Sequence, residues 1–376
     1  MFGSILLTVI TVMHVYVFWR GSTVPFLKRH VSRRLLTGTG IGLWAVFFLG
    51  RVIGHGSSGT FAMALEFLGM TWMAVVFLMT VSLLAVEIIT GFGLVMPRMA
   101  PFLRGCALAA GAVLSVIALV QGLRPPVIQD YDVTLSGLAP KMDGTVIVAM
   151  SDLHVGALIG RQWLEARVAE VQAQQPDLVV LLGDIFEGHD QPKEELMAVL
   201  HRLSAPLGVW AVLGNHEFPG RNNTRAPMIN YDGIQVLNNS WAEVRPSFVL
   251  AGVDDLTANH RSGRGGDPIA KALAGRPSGA TVLLSHTPWY IEKIAGDGVG
   301  LMLSGHTHGG QIWPFGYLVQ RIYPLIGGRY EVDGMTVIVS RGSGTWGPRM
   351  RLWRPGEILR VTLHAEGKEF PSAGAQ

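Results

Sequence analysis

The stretch Leu303-Ser-Gly-His-Thr-His-Gly-Gly-Gln311 sets two imidazoles two positions apart among glycines, directly after an apolar run. His306 and His308 read as metal ligands. Residues Val299 to Leu303 predict a short buried strand that stops at Gly305, which puts both histidines on the loop at its C-terminal end, where open α/β sheets bind ligands. Glycines 305, 309 and 310 let the backbone turn tightly and approach a bound anion. Four more apolar runs end on polar side chains: Ser151-Asp152-Leu153-His154, Gly183-Asp184, Gly214-Asn215-His216-Glu217 and Ser285-His286. Asp152 and Asp184 are 32 positions apart and Asp184 and Asn215 are 31 apart, each about one βαβ unit, so successive parallel strands would bring these groups to one sheet edge.

The elements that must position them alternate. Thr145 to Met150 predicts a strand, Arg161 to Gln175 a helix with Leu164, Val168 and Val171 on one face, and Leu178 to Leu182 a strand. A second helix carries Leu196, Val199, Leu200 and Leu203, and Val209 to Leu213 is the next strand. Phe248–Gly252, Thr281–Leu284, Leu301–Leu303, Thr336–Val339 and Glu357–Leu363 complete the set. Few helices intervene in the second half, which predicts two mixed sheets packed face to face with helices outside.

The order Asp-x-His, Gly-Asp, Gly-Asn-His-Glu, His, Gly-His-x-His, from about Val146 to Gly344, resembles the signature of the calcineurin-like metallophosphoesterases. The resemblance implies a two-metal site in which Asp152, His154, Asp184 and His308 hold one ion while Asp184, Asn215, His286 and His306 hold the other, with Asp184 bridging. It implies that His216 faces the substrate as electrostatic clamp and leaving-group acid. Ser340-Arg341-Gly342-Ser343-Gly344 also resembles the closing segment of the membrane-associated bacterial subfamily, many of whose members have an apolar residue where Ser343 stands.

The donor chemistry agrees. Mixed carboxylate and imidazole ligands suit Mn, Fe or Zn, and this region has no cysteine for a structural Zn site. Two such ions roughly 3.5–4 Å apart clamp a phosphate and lower the pKa of a shared water toward about 7, giving hydroxide for in-line attack on phosphorus. No Ser or Cys nucleophile is needed, so Ser151 reads as a turn residue. Asn rather than Asp at 215 limits the anionic charge a phosphate must approach.

Composition adds a second part. Of 376 residues, 49% are hydrophobic and only 15% charged, too apolar for an ordinary soluble chain, and the excess lies before about Leu123. Four runs, Phe2–Trp19, Leu35–Ile53, Glu66–Ile89 and Leu103–Leu123, reach the roughly 20 residues a bilayer span needs. The first is read as a span rather than a signal peptide, because no positive charge precedes it and no small-residue cleavage motif follows. Arg20, Lys28, Arg29, Arg33 and Arg34 follow the first run, against Arg51 near the next connection, which predicts a cytoplasmic first loop and a chain that leaves the fourth span on the outer face. Glu66 and Glu87, in the third run, are expected to reach headgroups or a neighbouring helix. The net charge of +3 gives no reason to expect nucleic acid, and the single Cys106 excludes an intrachain disulfide.

The expected layout is therefore a four-helix transmembrane region (1–123), a linker (124–140), an α/β metallophosphoesterase domain (141–366) and a flexible tail (367–376). His189, His201, His260 and His364 read as surface or packing histidines, Asp254 and Asp255, after the strand ending near Val253, as turn residues with contact to the site as the alternative, and Asn222-Asn223-Thr224 as a chance sequon. Arg341 is a candidate phosphate contact. The apolar segment Ile312 to Ile326 begins beside the expected ligands and either packs in the core or meets acyl chains. The expected function is hydrolysis of a phosphoester or pyrophosphate on a lipid-linked substrate, such as a phospholipid or nucleotide-linked lipid, at a bacterial membrane. Small soluble substrates, or a silent scaffold of the same fold, are the alternatives.

Overall fold

In a computed structural model the chain is described over residues 2–54, 59–187, 194–218, 233–262 and 266–367. It forms two compact units, one of Met1–Arg124 with Trp346–Trp353 and one of Pro125–Thr345 with Arg354–Gln376.

The first unit holds α1 (Phe2–Gly21), α2 (Pro25–His30), α3 (Arg33–Leu49) with a π turn at Gly50–Gly54, α4 (Thr60–Thr90) and α5 (Ala100–Leu123). Four of these helices are long and apolar enough to cross a membrane. Apolar side chains gain little from leaving lipid, so cohesion here depends on close backbones and polar contacts. A Cβ on Gly50 would stand 2.6 Å from the carbonyl oxygen of Leu65, and one on Gly69 2.9 Å from that of Val46, so α3 and α4 touch backbone to backbone. His14 joins three helices: its Nε2 lies 3.1 Å from the Gly40 carbonyl, and Trp72 Nε1 donates to its Nδ1 at 3.1 Å. Glu87 is fully buried; Arg104 donates to both its oxygens, and Arg20 Nε lies 2.9 Å from Oε1. Removing one member of such a buried group costs about 3–5 kcal/mol, because the remaining charges lose their partner. Of the two expected sites for Glu87, the neighbouring helix is the one observed. Glu66 is buried against Gly54.

Trp346–Trp353 completes this unit from far along the chain. Arg351 N–H donates to the Ala118 carbonyl at 2.9 Å, and Trp353 N–H to Gln121 Oε1 at 2.8 Å. A Cβ on Gly122 would come 2.5 Å from the Arg349 carbonyl oxygen, so only glycine lets this strip lie on the end of α5.

The second unit runs β1 (Val127–Leu135), β2 (Thr145–Met150), α6 (Arg161–Ala173), β3 (Leu178–Leu182), α7 (Glu194–Leu200), β4 (Val209–Val212), β5 (Gln235–Val236), β6 (Ser240–Arg245), β7 (Phe248–Val253), α8 (Leu256–Ser262) and α9 (Pro268–Leu273). It continues with β8 (Ala280–Ser285), α10 (Ile291–Gly296), β9 (Leu301–Ser304), α11 (Gly316–Val319), β10 (Gly328–Val332), β11 (Met335–Val339) and β12 (Glu357–Ala365). One six-stranded sheet has the order β1-β12-β2-β3-β4-β5, with β2 through β5 parallel; the other has β10-β11-β9-β8-β7-β6, with β7, β8, β9 and β11 parallel. Alternate residues of each strand face opposite ways, and both sides are apolar because both are covered. Ile147, Leu178, Val180 and Val212 meet Leu250, Val282, Leu301 and Ile338 between the sheets. On the outer faces, Val148, Val179 and Leu181 pack on α6 and α7, and Leu283, Met302 and Val337 pack among residues of α9 and α10.

One expectation needs correction. The linker expected over 124–140 contains β1, which pairs in parallel with β12 from Val127↔Glu357 to Leu135↔Ala365. Its inward residues Val133 and Leu135 are buried, the period-two pattern of a strand over the polar Gln129, Asp130 and Asp132. Of the two alternatives left open for Ile312 to Ile326, packing in the core is not the one observed: only its ends, Ile312 and Ile326, are buried, while Trp313, Phe315, Tyr317, Leu318 and Ile322 are exposed. His201 and His260 are exposed and His364 pairs with Asp132; His189, the sequon and residues 368–376 lie outside the described residues.

Candidate metal centre

Each site residue follows a strand: Asp152 and His154 follow β2, Asp184 follows β3, Asn215 and His216 follow β4, His286 follows β8, and His306 and His308 follow β9. Asp152, His154, Asp184, His306 and His308 all have φ between 46° and 70°. Left-handed backbone at a residue with a Cβ costs of order 1–3 kcal/mol and persists where the surroundings impose it. Here the buried strands fix the loop origins, and the reversals turn the side chains toward a common point. Glycines supply the room. A Cβ on Gly214 would stand 2.2 Å from Asp184 Oδ1, and one on Gly305 would strike Ser151 Oγ and Asp152 Oδ2.

Two groups result. Asp152, His154 and His308 form one and Asp184, His286 and His306 the other, with candidate donor atoms in each within 4.8 Å of one another; Asp184 also groups with His154 and His216. His154 Nε2 is 3.1 Å from His308 Nε2, which is 3.3 Å from Asp152 Oδ1. His306 Nδ1 is 3.2 Å from His286 Nε2, itself 3.2 Å from Asp184 Oδ2. Two imidazole nitrogens bound to one ion at about 2.1 Å, at tetrahedral to octahedral angles, stand about 3.0–3.4 Å apart. The spacing therefore fits ions. Asn215 Oδ1 fits as well: it is buried and finds no hydrogen-bond partner among the described residues, a cost that a cation would remove.

Residues 145–310 match the family described as calcineurin-like phosphoesterase. An uncharacterized metallophosphoesterase of Aquifex aeolicus is 34% identical over 231 residues, which are 61% of this chain and 88% of that protein. The chain belongs to the calcineurin-like metallophosphoesterases. A transmembrane protein with metallophosphoesterase domain from Bos taurus is 34% identical over 276 residues, 69% of this chain, and its namesake in Danio rerio is 33% identical over 270, or 68%. This metallophosphoesterase spans 62% of the length of each of those two proteins.

The candidate ligands of this metallophosphoesterase rest on residues that the sequence marks weakly or not at all. Glu187 Oε2 lies 2.6 Å from His154 Nδ1 and 3.2 Å from His216 Nδ1, so one carboxylate oxygen orients two imidazoles. Glu217, fully buried, accepts backbone N–H groups from Asp184 (2.9 Å), Ile185 (2.8 Å) and Gly214 (2.7 Å), tying the β3 loop to the β4 loop. His286 Nδ1 lies 2.7 Å from the Leu182 carbonyl. Asp255 caps α8 by accepting from Ala258 N–H and takes the hydroxyl of Thr287, next to His286. Glu217 carried a signal in its place after His216 in Gly-Asn-His-Glu, and Asp255 a weaker one in its place after the strand ending near Val253; Glu187 lies in a loop where acidic residues are common.

The electrostatics follow from crowding carboxylates with imidazoles. Burial pushes the Asp152 and Asp184 carboxyls up, but His308 and His286 around the first, and His286 and His216 around the second, outweigh it and hold both below the usual range. Glu187 is likewise held down by His154 and His216 against its own burial. Burial pulls His216 down, and Asp184 and Glu187 carry it past neutral to about 9. His306 falls to about 4 through burial and the neighbouring His286. Glu217 rises to about 7 through burial and Asp184, opposed by its backbone donors. Arg341 N–H donates to Glu357 Oε1 at 2.7 Å and its guanidinium pairs with Glu357 Oε2, so a phosphate contact would have to share it with Glu357.

Proposed function

We propose that this metallophosphoesterase is a membrane-anchored dinuclear hydrolase that cleaves a phosphoester or pyrophosphate bond of a lipid-linked substrate on the extracytoplasmic face. The observation that carries the reaction is the pair of donor groups, Asp152 with His154 and His308 and Asp184 with His286 and His306, joined by the cluster in which Asp184 meets His154 and His216, together with a buried and unpartnered Asn215 carbonyl oxygen. Asp152, His154, Asp184 and His308 would hold one ion and Asp184, Asn215, His286 and His306 the other. Two divalent ions such as Mn, Zn or Fe supply positive charge to phosphoryl oxygens and acidify water when bound. The side chain of His216 keeps 22% of its surface accessible, against 2% for His154 and none for His286, and is not needed as a ligand. With its Nδ1 engaged by Glu187, whose carboxylate favours the charged ring, its Nε2 is the nitrogen left to give a proton to a leaving oxygen.

The lipid assignment is supported by the loop 311–326. It leaves the ligands at Gly310 and returns to them where Thr307 Oγ1 donates to the Ile326 carbonyl, exposing Trp313, Phe315, Tyr317, Leu318 and Ile322 in between. Aromatic and aliphatic groups exposed together suit an acyl boundary, and four candidate spans supply the membrane. The outward orientation is supported by Lys28, Arg29, Arg33 and Arg34 in the first connection.

Replacing Trp313, Phe315 and Leu318 with serine tests the substrate class. Hydrolysis of lipid-linked phosphates in vesicles is expected to fall while that of a small soluble phosphodiester persists; equal loss on both, or none on either, refutes the lipid assignment. A reporter active only outside the cytoplasm, fused after Gly367, is expected to be active. Activity of a cytoplasm-only reporter there reverses the orientation.

A further inference from the structure

The outer ring nitrogens of three site imidazoles show how each is oriented, and one differs from the other two. His154 is held by Glu187, beside the site itself, and His286 by the Leu182 carbonyl at the end of a central strand. Both turn Nε2 toward the donor cluster. His306 is reversed: its Nδ1 faces His286 Nε2 at 3.2 Å, and its Nε2 lies 2.8 Å from the hydroxyl oxygen of Tyr323. A neutral imidazole carries one proton, and a ring that binds an ion through Nδ1 must keep that proton on Nε2, where an acceptor is needed. The Tyr323 hydroxyl oxygen is that acceptor. The tyrosine is itself confined: its ring meets His306 edge-on at 4.9 Å and stacks on Trp289 at 5.8 Å with an interplanar angle of 18°, and its backbone N–H donates to the Val319 carbonyl at 2.9 Å.

We infer that Tyr323 is the positioning residue for His306: by accepting the Nε2 proton it keeps Nδ1 bare and aimed at the ion shared with Asp184, Asn215 and His286, so that occupancy of this ion depends on the loop carrying the exposed apolar side chains. Tyr323 meets His306, which groups with Asp184 and His286, so the dependence is assigned to the ion of that group. Partners of this kind commonly change metal affinity by about 10–100-fold. The inference rests on the dinuclear reading above and holds whichever substrate is cleaved.

The test titrates Mn2+ into the full-length, chelator-stripped protein in detergent, by calorimetry, for wild type and Tyr323→Phe. The substitution keeps the ring, hence the stacking on Trp289, and deletes only the oxygen. Wild type is expected to take up two ions, and Tyr323→Phe to bind one as before and the other about 10–100-fold more weakly, with turnover recovering as Mn2+ is raised. Two ions bound by Tyr323→Phe with wild-type affinity overturn the inference, whereas fewer than two bound by wild type overturns the dinuclear reading and this inference with it. Should the variant fold poorly, 15N spectra of the histidine rings of the ion-free wild type decide the matter alone. A single His306 tautomer protonated at Nε2 supports the assignment, and a mixture or the Nδ1-protonated form overturns it.

Discussion

Replacing Glu187 with glutamine removes one negative charge and almost no volume from a carboxylate that serves two imidazoles. In the wild type a single oxygen lies 2.6 Å from His154 Nδ1 and 3.2 Å from His216 Nδ1. A glutamine carbonyl oxygen in the place of Oε2 can still accept from both rings, but without the charge. The change therefore weakens two charge-assisted hydrogen bonds to neutral ones. A hydrogen bond to a charged group contributes about 1.5–3 kcal/mol and a neutral one about 0.5–1.5, so the expected deficit is about 2–3 kcal/mol shared between the two rings. At about 1.4 kcal/mol per factor of ten, a half share on each ring gives roughly 5–10-fold. Mn2+ affinity at the group containing His154 should fall by that factor. At saturating Mn2+ a similar deficit should remain in kcat on a substrate with a poor leaving group, because His216 is no longer drawn toward the charged form, and it should shrink on a substrate whose leaving group needs no proton. Calorimetry and turnover on the two substrates separate these effects. Wild-type affinity together with wild-type kcat on both substrates would refute the positioning role of Glu187, and a deficit that vanishes entirely at saturating metal would confine that role to His154.

Asp184→Ala is expected to remove both activity and at least one bound ion, since its carboxylate groups with His286 and His306 on one side and with His154 and His216 on the other; full metal content by elemental analysis would contradict the bridge. In the ion-free protein His286 holds its proton above its ordinary range, so an ion bound there must displace it: Mn2+ affinity should rise with pH above about 6.5, by about tenfold per unit for the proton displaced, and a flat profile would count against competition at this ring. Glu87→Gln should lower the stability of the membrane unit by about 3–5 kcal/mol, read as a lower unfolding midpoint in detergent, because Arg20 and Arg104 lose their shared counter-charge. An unchanged midpoint would mean that both arginines find other partners.

The parts of the site carried by strand ends were legible because a strand leaves a compact mark. Leu178–Leu182 is apolar throughout and coincides with its predicted bounds, and Asp184 follows it after Gly183. The same reasoning reached Asp152, His216, His286 and His306, each within four residues of a strand. It did not reach Glu187, because a loop glutamate is read as solvated unless the imidazoles it meets are known, and those lie 33 and 29 positions away. Tyr323 was hidden differently. It sits in a run of apolar residues, where its ring gave reason to expect packing but nothing showed that its hydroxyl meets His306. β1 was missed because three polar residues interrupt it at an edge of the sheet, where its pairing with the last strand is invisible to any local pattern.

The membrane unit is assembled from two separate stretches of chain, and this bears on dissection and on evolution. Cutting at Arg124 to obtain a catalytic fragment would leave Trp346–Trp353 in the fragment while removing the Ala118 and Gln121 groups that receive its backbone N–H donors. Met350, fully buried in the whole chain, and the half-exposed Trp353 would then face water together, a sticky strip that favours self-association and needs a detergent or further substitution to stay soluble. Recombination meets the same obstacle. An exchange of the N-terminal helices between relatives transplants half of an interface, and viable exchanges are expected to carry matching changes near residue 122 and over 346–353, two regions more than two hundred positions apart.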